Sequence, residues 1–309
     1  MPHQHRNPHS FKTHEAMRTL VALLAVLAYG CTRIPSTPAE PVEFDGSSAM
    51  RFAEGLMSFG ARVPASSAHT QAGDWIQSEL ERSGWKVENQ QFVYQDVALR
   101  NLLGTYVGTS GPVVFIGAHY DSRRVADQES ATTQEPVPGA NDGASGVAVL
   151  LELARVLPSS RVGCQVQLVF FDGEDSGGLD GWQWIVGSTY FADHLTTTPE
   201  AVVIVDMVGD EDLDLFMEGN SDPGLRGGIW ETASSLGHAA FIPIVKYTML
   251  DDHIPFVRKG IPSVDIIDFD YPYWHTTHDT LDKLSSASLD QVGGTLQAWL
   301  GKCPESLRE

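Results

Sequence analysis

Basic residues are scarce in this chain: Lys and Arg total 20 against 40 Asp and Glu in 309 residues, a formal net charge of -20. Such a surface repels a phosphate backbone, so nucleic acid is excluded as a partner. The surplus acid keeps the protein soluble or favours cationic substrates. Cysteine is equally sparse. The three that occur, Cys31, Cys164 and Cys303, do not imply a disulfide framework, and Cys164, just ahead of an apolar strand, is expected to be buried. Long hydrophobic runs are missing too: Leu20–Leu27 is eight residues, too short to cross a bilayer. No internal repeat is present. The 42% of hydrophobic residues is enough to bury a large core, and one domain behind a short leader is the economical division.

Met17-Arg18, the Leu20–Leu27 run and Ala28-Tyr-Gly-Cys31 have the order of a secretory leader. Small residues before Cys31 resemble a bacterial lipoprotein cleavage site, with Tyr29 an unusual member. The expectation is an exported protein, lipid-anchored at Cys31 in the cell envelope or periplasm, whose true start is Met17 or Met1. Removing residues 1–30, with three basic groups and one acid, leaves -20 - (3 - 1) = -22. Residues 31–46 carry Pro35, Pro38 and Pro41 among polar residues and read as an extended tether. Residues 47–309 are the candidate catalytic domain, taken as a monomer.

Ser47–Phe59 and His69–Ser83 have helical spacing of apolar residues. Trp85–Val107 reads as two or three strands at an antiparallel edge. From Val113 to Ile267 strands alternate with helices, the signature of a mixed, mostly parallel central sheet with helices on both faces. Leu289–Leu300 closes the chain as a helix weakened by Gly293-Gly294. The loop Ser176–Gly187 carries Trp182 and Trp184, which either line a pocket or pack over the sheet rim.

Several strands end in polar residues. Val113–Ile116 leads to His119 and Asp121, Val166–Phe171 to Glu174 and Asp175, and Val202–Val205 to Asp206, while Asp142 opens the apolar helix Val147–Leu157. In open α/β sheets ligands bind beyond the carboxyl ends of the strands. His119, Asp142, Asp175, Asp206 and the later His275 are therefore a candidate zinc site, with Glu174 beside it as a base. Taken singly, each such Asp is more often a cap or turn residue and each His a locally satisfied side chain.

Five segments, His119-Tyr-Asp-Ser122, Gly139-Ala-Asn-Asp-Gly-Ala-Ser-Gly146, Phe171-Asp-Gly-Glu-Asp175, Asp251-Asp-His-Ile-Pro-Phe256 and Tyr273-Trp-His-Thr276, resemble glutaminyl-peptide cyclotransferases, the animal-type glutaminyl cyclases, and especially their bacterial members. The similarity runs from about Ser47 to the last helix. It implies the zinc-aminopeptidase fold, to which the first three segments also belong; Asp251 and Trp274 are what favour the cyclases. Carried over, the resemblance makes Asp142, Asp175 and His275 ligands of one zinc ion, Glu174 the proton shuttle, and Asp206 and Asp251 its assistants. Trp274, Trp182 and Phe256 become substrate-binding candidates. His119, oriented by Asp121, and Asp206 match the ligands of a second zinc ion in the peptidases. Asp175 stands where animal cyclases carry Glu, a shorter reach to the metal.

The implied reaction converts the N-terminal glutamine of a peptide or protein to pyroglutamate and ammonia. The alternative is a two-zinc aminopeptidase hydrolysing N-terminal residues. A third reading, a noncatalytic binding ectodomain on an inherited fold, sits poorly with a complete ligand set and an intact Glu174.

Overall fold

The computed structural model describes residues 41–106, 111–129, 134–160 and 162–303; the leader, Cys31 and the tether up to residue 40 lie outside them. Two helices come first. α1 (Gly46–Met57) is capped by Asp45, whose carboxylate accepts from the Ser47 N–H at 2.9 Å, and α2 (Ser67–Arg82) by the Ser66 hydroxyl, which satisfies backbone donors a first turn leaves open. A hairpin, β1 (Lys86–Tyr94) and β2 (Val97–Thr105), leads into β3 (Val113–His119), α3 (Ala144–Val156), β4 (Gln165–Phe171), α4 (Val186–Asp193) and β5 (Ala201–Asp206). There follow β6 (Leu215–Glu218), α5 (Pro223–Leu236), β7 (Phe241–Tyr247), the one-turn α6 (Ile254–Val257), β8 (Ser263–Ile267) and α7 (Ser286–Lys302).

Six strands form one sheet in the order β1-β2-β4-β3-β5-β8. β1, β2 and β4 pair antiparallel, and β4, β3, β5 and β8 pair parallel. This is the expected mixed, mostly parallel sheet with an antiparallel edge. β6 and β7 make a separate parallel pair. Along the parallel strands alternate side chains enter different cores: Val114, Ile116, Val203 and Val205 pack in the larger cluster, Phe115, Val202 and Ile204 in the other. Burial on both faces explains why these strands read as unbroken apolar runs. The path from β3 to β4 and back across β3 to β5 reverses direction, and right-handed crossovers then require the two connecting helices to lie on opposite faces. Accordingly α3 contributes to the larger core and α4, through Phe191 and Ala192, to the smaller.

The reading of residues 41–46 as part of the tether is corrected. Residues 41–46 are held on the domain: the Gln297 side chain accepts from Phe44 N–H and donates to Val42 O, and the Phe44 ring lies on Gly293. A Cβ there would come within 2.0 Å of the ring, so Gly293 marks a close approach and α7 runs through it intact. Cys164 and Cys303 form a disulfide, tying the entry of β4 to the end of α7 across a sequence separation of 139. The spacing of two cysteines says nothing of such a pairing; only the packing of α7 brings them together. No described helix is long and apolar enough to cross a membrane.

Reducing this disulfide, or replacing both cysteines by serine, is expected to lower unfolding stability by up to about 5 kcal/mol, the loop-closure limit, read as a lowered denaturation midpoint. Gly293→Ala is expected to destabilise by about 1–3 kcal/mol through overpacking against Phe44, against the roughly 1 kcal/mol that alanine adds to helix propensity; a rise in melting temperature would contradict it.

Candidate active site

Because β4, β3, β5 and β8 are parallel, their carboxyl ends lie along one edge, and the loops that leave them meet there. His119 ends β3, Asp206 ends β5, Glu174 and Asp175 follow β4, and Asp142 precedes α3. All five are at least nine-tenths buried, as are Asp121, Asp251 and His275. Asp142 stands between two groups of donors. On one side are His119 and Asp206, with His119 Nε2 at 3.0 Å from Asp142 Oδ1 and 3.2 Å from Asp206 Oδ1. On the other are Asp175 and His275, with His275 Nε2 at 2.9 Å from Asp175 Oδ1 and 3.6 Å from Asp142 Oδ2. Within each group of three, one donor atom per residue lies within 4.8 Å of the others.

The chemistry of these donors fits a divalent cation. Three carboxylates and two imidazoles face inward, and both Asp175 oxygens and His119 Nδ1 lack a hydrogen-bond partner among the described residues. Buried groups are rarely left so. Carboxyl groups this close cannot all stay ionised without a cation. Burial, with Asp142 beside it, pushes Asp175 up to about 6. Burial raises Asp206 to about 7 against the pull of His119, with Asp251 and Asp142 adding to the rise.

The surroundings orient the donors. Asp121 lies 3.5 Å from His119 Nδ1 and accepts from the Glu174 and Asp175 N–H groups at 3.1 and 3.2 Å, so one carboxylate joins the ends of β3 and β4. Asp279 accepts from the Asn141 and Asp142 N–H groups and from the Tyr271 hydroxyl; burial and Asp142 push it up to about 7. Asp127 Oδ1 sits 3.4 Å from His275 Nδ1. Arg62, fully buried, donates to the carbonyls of Tyr120, Pro138 and Gly139, holding the loop before Asp142. His275 itself takes a left-handed backbone (φ 56°), uncommon outside glycine.

A cavity of about 230 Å³ opens over this cluster. Glu174, Asp251, Asp142, Asp175, Asp206 and His275 line it, and Trp184, Trp274, Phe269 and Leu250 form its apolar wall. Trp274 stacks on His275 at 3.7 Å between ring centroids, and Trp184 lies parallel to the same imidazole at 5.9 Å with the Arg123 guanidinium 4.8 Å from its centroid. Gly177 makes this possible, since a Cβ would collide with the Trp184 ring at 2.0 Å.

Two of the substrate-binding candidates are not on that wall. Trp182 packs edge-on against Tyr94 in a small cluster with Phe92 and Leu99. The pocket tryptophan of this loop is Trp184, two residues on. Phe256 is fully buried between Phe171 and Phe191, where it anchors α6 in the core. Trp184 was legible as one of a pair; Arg62, Asp127 and Asp279 had no local signal, because the groups each of them holds lie far along the chain.

Residues 101–300, 200 of the 309, match the model of peptidase family M28. The glutaminyl-peptide cyclotransferase of Bos taurus is 25% identical over 283 residues, covering 77% of each chain. Among solved structures, Porphyromonas gingivalis glutaminyl cyclase aligns with a TM-score of 0.80 and 32% identity over 85% of this chain and 100% of that one. A leucine aminopeptidase precursor from Bacteroides thetaiotaomicron aligns with a TM-score of 0.80 and 30% identity, over 85% and 99%. Donors at the ends of parallel strands, a shared fold over nearly the whole described domain and a family model spanning two thirds of the sequence agree: the chain belongs to peptidase family M28.

Proposed function

We propose that this protein is a glutaminyl-peptide cyclotransferase, which closes the N-terminal glutamine of a peptide or protein to pyroglutamate and releases ammonia. The observation that carries the reading is Asp251 and the Trp274 ring lining the same small cavity as the metal-type donors, beside Glu174. At about 230 Å³ the cavity is smaller than the roughly 300–1,000 Å³ of ordinary ligand pockets; it suits one residue, with the rest of the peptide outside. Likeness to solved glutaminyl cyclases supports it.

Asp142, Asp175 and His275 would hold one zinc ion, which when bound supplies Lewis-acid polarisation of the substrate γ-carbonyl. The neutral α-amine forms a bond to the γ-amide carbon as the bond from that carbon to the amide nitrogen breaks. Glu174 accepts the proton from the amine and returns it to the leaving nitrogen, so that NH₃ departs. Burial raises its carboxyl well above the usual range, against His119 and with Asp175, Asp251 and Asp252 adding to the rise, which gives a base of higher proton affinity than a solvated Glu. Asp206 and Asp251 attract the transient ammonium character of the two nitrogens, and the Trp274, Trp184 and Phe269 rings keep out the water that a hydrolase needs. The site is complete within one chain, in keeping with a monomer. The leader over residues 1–30, just ahead of Cys31, and the Cys164–Cys303 disulfide fit an exported enzyme in an oxidising compartment, anchored by lipid on Cys31.

One observation favours a second reading. His119, Asp142 and Asp206 form a further donor group, so two zinc ions and aminopeptidase hydrolysis are the alternative. Incubation of the zinc-loaded protein with glutamine-initiated and leucine-initiated peptides separates them. Loss of one ammonia from the first, with the second intact, is expected; release of leucine without ammonia would sink the cyclase reading. Glu174→Gln should lower kcat by about 10²–10⁴-fold with zinc content unchanged. Chelation should abolish turnover and lower the melting temperature, both restored by zinc, and His275→Ala should fail to retain the metal.

A further inference from the structure

Behind Asp251, away from the cavity, lies a buried polar ring that the chemistry above does not use. Its centre is His253, fully buried at the start of α6. His253 Nε2 is 3.3 Å from Glu218 Oε2 and its Nδ1 is 3.5 Å from Asp265 Oδ2. The Ser221 hydroxyl closes the ring, donating to Glu218 at 2.9 Å and accepting from the Asp265 N–H at 3.0 Å. Both Asp265 oxygens and both His253 nitrogens are without a hydrogen bond among the described residues. Each ring nitrogen faces a carboxyl group, so the imidazole bridges Glu218 and Asp265.

The ring is connected to the cavity wall. Glu218 also accepts from the Met249 N–H at 3.0 Å and the Asn220 N–H at 2.9 Å, and so holds the segment Met249-Leu-Asp251 that lines the cavity. Asp251, His253 and Asp265 each place a donor atom within 4.8 Å of the others. Asp252 is buried beside them. Carboxyl groups this dense repel one another, so Asp251 keeps its place only if the segment that carries it is held from behind. Burial raises the Asp251 carboxyl, and His253 is the largest influence opposing that rise.

We propose that His253 is a positioning residue: clamped between Glu218 and Asp265, it keeps Asp251 in place at the cavity. The proposal deepens the reading of Asp251 given above and rests on it. It predicts coupling, since a residue that acts through Asp251 has nothing left to act on once Asp251 is gone.

The test is a double-mutant cycle of His253→Gln and Asp251→Ala in the full protein, with kcat, KM, zinc content and melting temperature measured for each variant. With Asp251 present, His253→Gln is expected to lower kcat about a hundredfold, the scale of a misplaced catalytic group, with KM and zinc content little changed. In the Asp251→Ala protein the same substitution should change kcat by less than about threefold. An equal loss in both backgrounds, or none in either, overturns the proposal. So does loss of a metal ion in His253→Gln with His119, Asp142, Asp175 and His275 intact, which would make the ring a cation site. If His253→Gln fails to fold, Asp265→Asn replaces it in the cycle; failure of both would assign the ring to the fold instead. Ammonia release by the wild type is measured first. Leucine release in its place sinks the cyclase reading alone, and the cycle is then read on that hydrolysis.

Discussion

Asp142, Asp175, Asp206, Glu174 and Asp251 meet where water scarcely reaches, and the mutual repulsion of their carboxyl groups is the constraint on which the rest of the structure depends. The chain answers it with a few cations and many oriented N–H groups. Arg62 is the deepest of the cations: burial lowers its guanidinium to about 10, with Asp279, Asp121, Asp142 and Asp175 opposing the fall. Arg123 bonds Asp127 and the Asp175 and Gly177 carbonyls. Breaking any one of these pairs would leave a buried charge without a partner, which costs more than the pair contributes. The remaining negative charge is what makes the place a candidate metal site.

The fold limits where so much charge can gather. Inside the sheet, strands buried on both faces have no room for it, and the register of β3, β4 and β5 fills both cores with branched and aromatic side chains. Only the loops past the carboxyl ends are free to turn acids inward. The Cys164–Cys303 disulfide and Phe44 on Gly293 tie α7 to the domain at the amino end of β4, the end away from those loops.

Aromatic rings then set the character of the cavity. Trp274 and Trp184 flank His275, and Phe269 packs on Trp274 at 5.1 Å between centroids. They give the cavity apolar sides beside its buried charges. Two proteins with the same donors would differ in chemistry according to this wall: open, the site admits water as nucleophile; closed, it leaves the substrate's own amine as the nearest one.

The alternation of apolar runs and helical spacing determined the fold class, since periodicity follows from local geometry. Strand-end placement likewise marked His119, Asp142, Glu174, Asp175 and Asp206 as a group, and Trp274-His275 and Asp251 were visible in short motifs. Tertiary structure decided the rest. Which of Trp182 and Trp184 faces the cavity turned on one bend of a loop, and whether Phe256 is wall or core turned on how α6 packs. Arg62, Asp127 and Asp279 approach the donors across gaps of many residues in the chain, as do Glu218 and Asp265 around His253. Local pattern records what a segment prefers; the neighbours that charge and packing impose on it come from parts of the chain that meet only on folding.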